Sequence, residues 1–156
     1  MGNYTDLEFD FVERTIYLIE QYTTLIQEKP FTEQLNYTLT VNCLLGLVVM
    51  PKERAISYIS KEPLNAANLK KMGLFSSVID SSINTLRDLI THLRHAVAHF
   101  SIEIVSDCDR KLIDRIVFKG TKGQPQVIAI FRAQEVLPFL QYYAHNLLEN
   151  MKKHRT

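Results

Sequence analysis

The sequence predicts a mainly α-helical fold with a small three-stranded antiparallel β-meander inserted before the last helix, all within a single domain over residues 1–156. Three observations predict it. Apolar residues recur at helical spacing through most of the first hundred positions, the period changes to that of strands directly after Phe100, and it returns to helical from Ala133. A chain of 156 residues with 46% hydrophobic content can bury one core.

The first helix is carried by Phe9, Val12, Ile16, Ile19, Leu25 and Ile26, and it closes before Lys29-Pro30, because proline disfavours helix in the residue preceding it. A second helix begins near Thr32, a suitable N-cap with Glu33 in the first turn, and runs to Pro51. Its VNCLLGLVVM run is apolar on nearly every side, which places it at the centre of the bundle. Residues 51–77, punctuated by Pro51, Pro63 and Gly73, read as a loop with one or two helical turns, PLNAANLKKMG holding a short helix. From Val78 the pattern sharpens: Ile79, Ile83, Leu86, Ile90, Leu93, Val97 and Phe100 recur at steps of four and three, the strongest helix signal in the chain. The strands are SIEIV, KLIDRIVFK and QVIAIFR, separated by the turn-rich SDCD and GTKGQP. Val136, Leu140, Tyr143, Leu147 and Met151 define the last helix, with Pro138 tolerable in its first turn.

Composition narrows the function classes. The opening MGNYTDLEFDFVERT carries acids where a secretory signal carries basic residues, and no apolar run approaches the roughly 20 residues that span a bilayer, so a cytoplasmic protein without membrane partners is expected. Cys43 in an apolar run and Cys108 in a polar turn make neither a disulfide framework nor a zinc box, and both read as free thiols. The net charge of +1 hides an asymmetry. Seven acids face two bases between Met1 and Met50, whereas Arg110, Lys111, Arg115, Lys119, Lys122 and Arg132 face only Asp114 further on. That arrangement permits a phosphate-facing patch and equally permits solvated strand faces.

Three of the five histidines lie on TLRDLITHLRHAVAHFS, from Thr85 to Ser101. At about 100° per residue, with Leu93 as zero, His95, His99 and His92 fall near 200°, 240° and 260°, and Asp88 near 220°, opposite the apolar stripe that includes Phe100. Three readings of this polar face stay open. It is a solvated surface; or His95 and His99, four apart, grip a metal ion with His92 or Asp88 as third ligand; or Arg94 and His99 cleave a phosphodiester. That last chemistry needs proton transfer, which an imidazole of pKa about 6.5 supplies, and a positive fork on the phosphate, which guanidinium supplies.

Arg94-His95-Ala96-Val97-Ala98-His99 resembles the signature of HEPN domains, an arginine and a histidine separated by four to six residues with a polar residue after the arginine. FVERTIYLIEQY, the stretch from Val41 to Glu53, LRHAVAHF and the strands that follow are together similar to a small plasmid-associated bacterial subgroup of that family. The resemblance implies a HEPN-like helical bundle, a homodimer, and metal-independent cleavage of RNA of the kind seen in toxins and defence systems, with an antitoxin protein as a possible further partner and no cofactor. Arg94 and His99 are then the catalytic pair, with His95 and Asp88 as supporting candidates. A non-catalytic HEPN dimer serving as a binding or toxin-partner module is the alternative. Because Arg94 and His99 lie about 140° apart around a straight helix, the implied site is composite, with both copies lining one cleft across a two-fold axis. His145 and His154 share no face with the cluster and read as surface residues.

Overall fold

The computed structural model describes residues 4–30, 33, 36–49, 53–107, 113–120 and 126–154. Helix α1 spans Leu7–Leu25, α2 Asn36–Val49, α3 Glu53–Ile56 and α4 Ala66–Lys71; strand β1, Val78–Ile79, precedes α5, Leu86–Ala98; β2 (Ile102–Val105), β3 (Arg115–Lys119) and β4 (Val127–Arg132) lead into α6, Ala133–Lys153.

Local chemistry sets the helix starts. Asp6 caps α1 by accepting the Phe9 N–H at 3.1 Å, while the Asp10 carboxylate reaches back to the N–H groups of Thr5 and Asp6 at 2.7 and 3.0 Å. These bonds satisfy donors that an uncapped helix leaves orphaned. The N-cap expected at Thr32 lies outside the described residues. Asn65 caps α4, as Thr85 caps α5. Helix α2 packs against α1, α5 and α6 and buries Cys43, Leu44, Leu47 and Val48, so the most apolar stretch of the chain is held by three other helices. Helices α5 and α6 also pack on the sheet, through β3 and β4. A chain of edge-on rings, Phe118 to Phe131 to Phe139, with centroids 5.5 and 5.2 Å apart, runs from β3 through β4 into α6.

The sheet corrects the predicted meander. It has four antiparallel strands in the order β1-β4-β3-β2, and one of them precedes α5. Val78 and Ile79 therefore belong to a strand, paired with Ile130 and Ala129, and not to the helix that follows. Two residues show no period, so apolar spacing alone joins them to the helix. What holds β1 is a distant side chain: the buried carboxylate of Glu135 on α6 accepts the N–H groups of Ser76 and Ser77 at 2.9 and 3.0 Å and the Ser77 hydroxyl at 2.6 Å. Ile83 is buried from the connection before α5, whose first helical residue is Leu86.

Two further expectations shift. Pro138 sits in the second turn of α6 and the helix continues through it; the site is exposed, where water can serve the carbonyl left without a donor. Gly73, at φ +79°, ends α4 against that proline: a Cβ there would come within 2.7 Å of the Pro138 Cβ. The second change is Phe100, which the spacing assigned to the apolar stripe and which is 88% exposed.

Candidate active site

Helix α5 is fixed firmly at its start. The Thr85 oxygen accepts the Asp88 N–H at 3.2 Å and its hydroxyl donates to the Asp88 carboxylate at 2.7 Å. In the same first turn, Arg87 donates to the Ile59 and Ser57 carbonyls, binding the segment after α3 to the helix. The face formed by Leu86, Leu89, Ile90, Leu93, Ala96 and Val97 is buried. His92, His95, Ala98 and His99 are exposed, and Arg94 is half-buried between the two faces.

The end of α5 departs from a straight helix. His99 is its C-cap, at φ −101° and ψ 9°, so the chain leaves the helical path after His99, which itself still closes the last helical turn. The His99 N–H donates to the His95 carbonyl at 3.1 Å, and the two rings lie parallel, 3° apart in orientation with centroids separated by 6.3 Å. Phe100 follows at φ +53°, in the left-handed region.

The structure lays the His95 and His99 rings parallel and gives Asp88 and His92 other hydrogen-bond partners. The Asp88 carboxylate is engaged in capping at the opposite end of α5. His92 meets Asp88 through the backbone, its Nδ1 2.8 Å from the Asp88 carbonyl oxygen. Among the described residues no group of three histidine, cysteine, aspartate or glutamate side chains is placed to hold one metal ion. His145 and His154 are exposed on α6, with Nδ1 against the Gln141 and Asn150 carbonyls. Cys43 is a buried free thiol whose pKa burial raises; Cys108 lies outside the described residues.

Electrostatics around the helix are uneven. The charge of Arg94 reaches Tyr143 on α6, a buried phenol with no hydrogen-bond partner among the described residues. Burial pushes the Tyr143 hydroxyl up, and Arg94 partly offsets it. The basic strand residues are largely spoken for: Arg115 donates to both oxygens of Asp107, at 2.8 and 2.7 Å, and Lys119 pairs with Glu103. Arg132 is exposed, whereas Arg110, Lys111 and Lys122 lie outside the described residues. Spacing alone missed two neighbours of the site, Phe100 and Tyr143. The change of period at Phe100 was the available signal for the first; the second was legible only as one more apolar position of α6.

The profile of a family described as HEPN pEK499 p136 matches residues 1–154. The chain belongs to that family. For this HEPN protein no curated protein and no solved structure is found to match. Arg94 to His99, the stretch that resembles the HEPN signature, occupies the last turn and C-cap of α5. Among the described residues, no helix of the HEPN chain is long and apolar enough to cross a membrane.

Proposed function

We propose that this HEPN protein is an endoribonuclease that cleaves RNA by attack of a 2′-hydroxyl, using Arg94 and His99 and no metal ion. The observation that carries the proposal is the exposed imidazole of His99 at the C-cap of α5, five positions after a half-buried arginine, in a chain matched by a HEPN family over nearly its whole length.

The chemistry assigns one task to each group. The 2′-oxygen forms a bond to phosphorus as the bond from phosphorus to the 5′-oxygen breaks; the proton leaves the 2′-hydroxyl and another reaches the departing oxygen. Of the two His99 imidazoles that the dimer brings together, one accepts the 2′-hydroxyl proton and the other, protonated, donates to the departing 5′-oxygen. The Arg94 fork stabilises the charge that accumulates on the phosphate oxygens. His95, whose ring lies parallel to that of His99, acts as a positioning residue. The site is completed in a homodimer, with the polar face of α5 packed across a two-fold axis so that both copies of Arg94 and His99 line one cleft; exposed Ala98 allows the close approach. Such an activity suits a toxin or defence protein held in check by a protein partner.

The purified protein incubated with unstructured RNA, with and without chelator, tests the proposal. Products ending in a 2′,3′-cyclic phosphate, cleavage indifferent to chelator, and an intact DNA strand of the same sequence are expected. Sedimentation at micromolar concentration should return a dimer. Chelator-sensitive cleavage would overturn the mechanism, and a wild-type protein that cuts no RNA would leave a non-catalytic HEPN dimer.

A further inference from the structure

Helices α4 and α5 end in the same backbone closure. At α4 the Gly73 N–H returns to the Lys70 carbonyl at 3.1 Å and the Leu74 N–H to the Leu69 carbonyl at 2.9 Å. At α5 the Phe100 N–H returns to the Val97 carbonyl at 3.1 Å and the Ser101 N–H to the Ala96 carbonyl at 2.8 Å. This paired closure demands one residue in the left-handed region, a position that glycine fills without steric penalty. At α4 the residue is Gly73, at φ +79°; at α5 it is Phe100, at φ +53°, the only non-glycine with positive φ among the described residues.

A phenylalanine at this place is unfavourable twice over. Its Cβ crowds the backbone in the left-handed region, and its ring, 88% exposed, is not used in the core. The hydrophobic contact that often accompanies the closure does not involve it: the residues that would make that contact are Ser101 and Ala96. The backbone on both sides is over-determined, because the Ser101 carbonyl also accepts the Lys119 N–H at 2.9 Å and the chain passes directly into β2. The result is an aromatic face held out from the protein on a stiff support, one residue beyond His99. Strain of this kind persists where the surroundings impose it, and it gathers at functional sites.

We propose that Phe100 is a base-stacking platform, which seats the unpaired nucleobase flanking the scissile phosphate and so directs the site to single-stranded RNA. The inference rests on the ribonuclease reading of Arg94 and His99. Consecutive Cα atoms are about 3.8 Å apart, so the exposed ring lies within reach of a base that flanks a phosphate held at His99. Stacking on an aromatic side chain tolerates any base but needs one freed from its own helix. A paired stretch cannot offer that face, and cleavage is therefore confined to loops, ends and unstructured strands.

The chain contains no tryptophan, so Phe100→Trp introduces a single fluorescent reporter at the platform. In a His99→Ala background, where RNA is bound without being cut, an unstructured oligouridine should quench this emission and a duplex of equal length should not. In the catalytically intact chain, Phe100→Gly should raise KM for single-stranded RNA by roughly 5- to 150-fold, while the thermal midpoint stays level or rises because glycine relieves the left-handed strain. Three results would overturn the proposal while leaving cleavage standing: no quenching by an RNA that the intact protein cuts; a Phe100→Gly protein with a lowered midpoint and unchanged KM; or tryptophan emission already shifted to the blue, in a concentration-dependent way, before RNA is added, which would assign the ring to a contact between copies of the chain. A wild-type protein that neither binds nor cuts RNA would remove the ribonuclease reading and this inference with it.

Discussion

The imidazole rings of His95 and His99 lie parallel, 3° apart in orientation, with centroids 6.3 Å from each other. Stacked neighbours at this range are worth about 0.5–1.5 kcal/mol, and that amount would serve to hold the His99 ring in one orientation. His95→Ala should therefore slow RNA cleavage by roughly 2- to 12-fold. His95→Phe, which keeps a flat ring but carries no proton, should recover most of the rate. Single-turnover cleavage of the two variants decides between positioning and proton transfer: failure of the phenylalanine variant would give His95 a chemical role of its own.

Asp88 shares the polar face of α5 with His95, but its carboxylate is tied to the Thr85 hydroxyl at the helix start. Its substitution should then register in stability and not in catalysis. Thr85→Ala should cost about 0.5–2 kcal/mol by loss of the cap, and Asp88→Ala should fall within or below that range, both with cleavage rates close to wild type. Denaturant unfolding beside a cleavage assay checks this; a large rate loss for Asp88→Ala at unchanged stability would return it to the site.

Glu135 is buried on α6 and accepts two backbone N–H groups and a hydroxyl from the Ser76-Ser77 segment. Glu135→Ala leaves those donors without an acceptor, at a cost of at least about 1–3 kcal/mol, which lowers the thermal midpoint by roughly 2–12 °C in a chain of this size. Hydrogen exchange should locate the loosening at β1 and its partner Ile130 in β4. A protein that keeps its midpoint and its protection at β1 would show that the sheet edge does not depend on this carboxylate.

Alkaline pH gives a separate handle. The Tyr142 hydroxyl donates to the Glu62 carboxylate; burial, that bond and the charges of Glu62 and Glu149 push its pKa up to about 12. In the unfolded chain a tyrosine titrates near 10. A group raised on folding contributes stability that is fully present below the unfolded value and is lost as pH climbs through the folded one. Unfolding measured between about pH 10 and 12 should therefore show wild type losing stability relative to Tyr142→Phe, which lacks the hydroxyl and starts lower at neutral pH. Parallel pH curves for the two proteins would contradict the assignment.

How far the chain could be read in advance depended on the length of each signal. Helices α1, α2, α5 and α6 each present several turns of apolar spacing, and β2, β3 and β4 lie where the period changes. β1 is two residues long and is held by Glu135, 56 positions beyond Ile79 in sequence, so no local pattern records it. The cluster of His92, His95 and His99 with Arg94 was visible as a shared face, but its division was not. Only the end of the helix shows that His99 stacks on His95 while Asp88 caps the far end. Phe100 was misplaced for the same reason: a helical period continues an apolar stripe through a residue at which the helix has already closed.

The most direct test of the central claim is the single-turnover cleavage rate of Arg94→Ala and His99→Ala on the RNA that wild type cuts, measured with the unfolding midpoint of each protein. His99 is exposed, so His99→Ala should keep a midpoint near that of wild type, surface changes being worth about 0.5 kcal/mol. Arg94, half-buried but off the apolar face, should still give a folded protein when replaced by alanine. Each should lose cleavage by roughly 10²- to 10⁴-fold, the range that positioned acid–base catalysis supplies. A His99→Ala protein, freed of contaminating nuclease, that still cleaves at the wild-type rate would contradict the account.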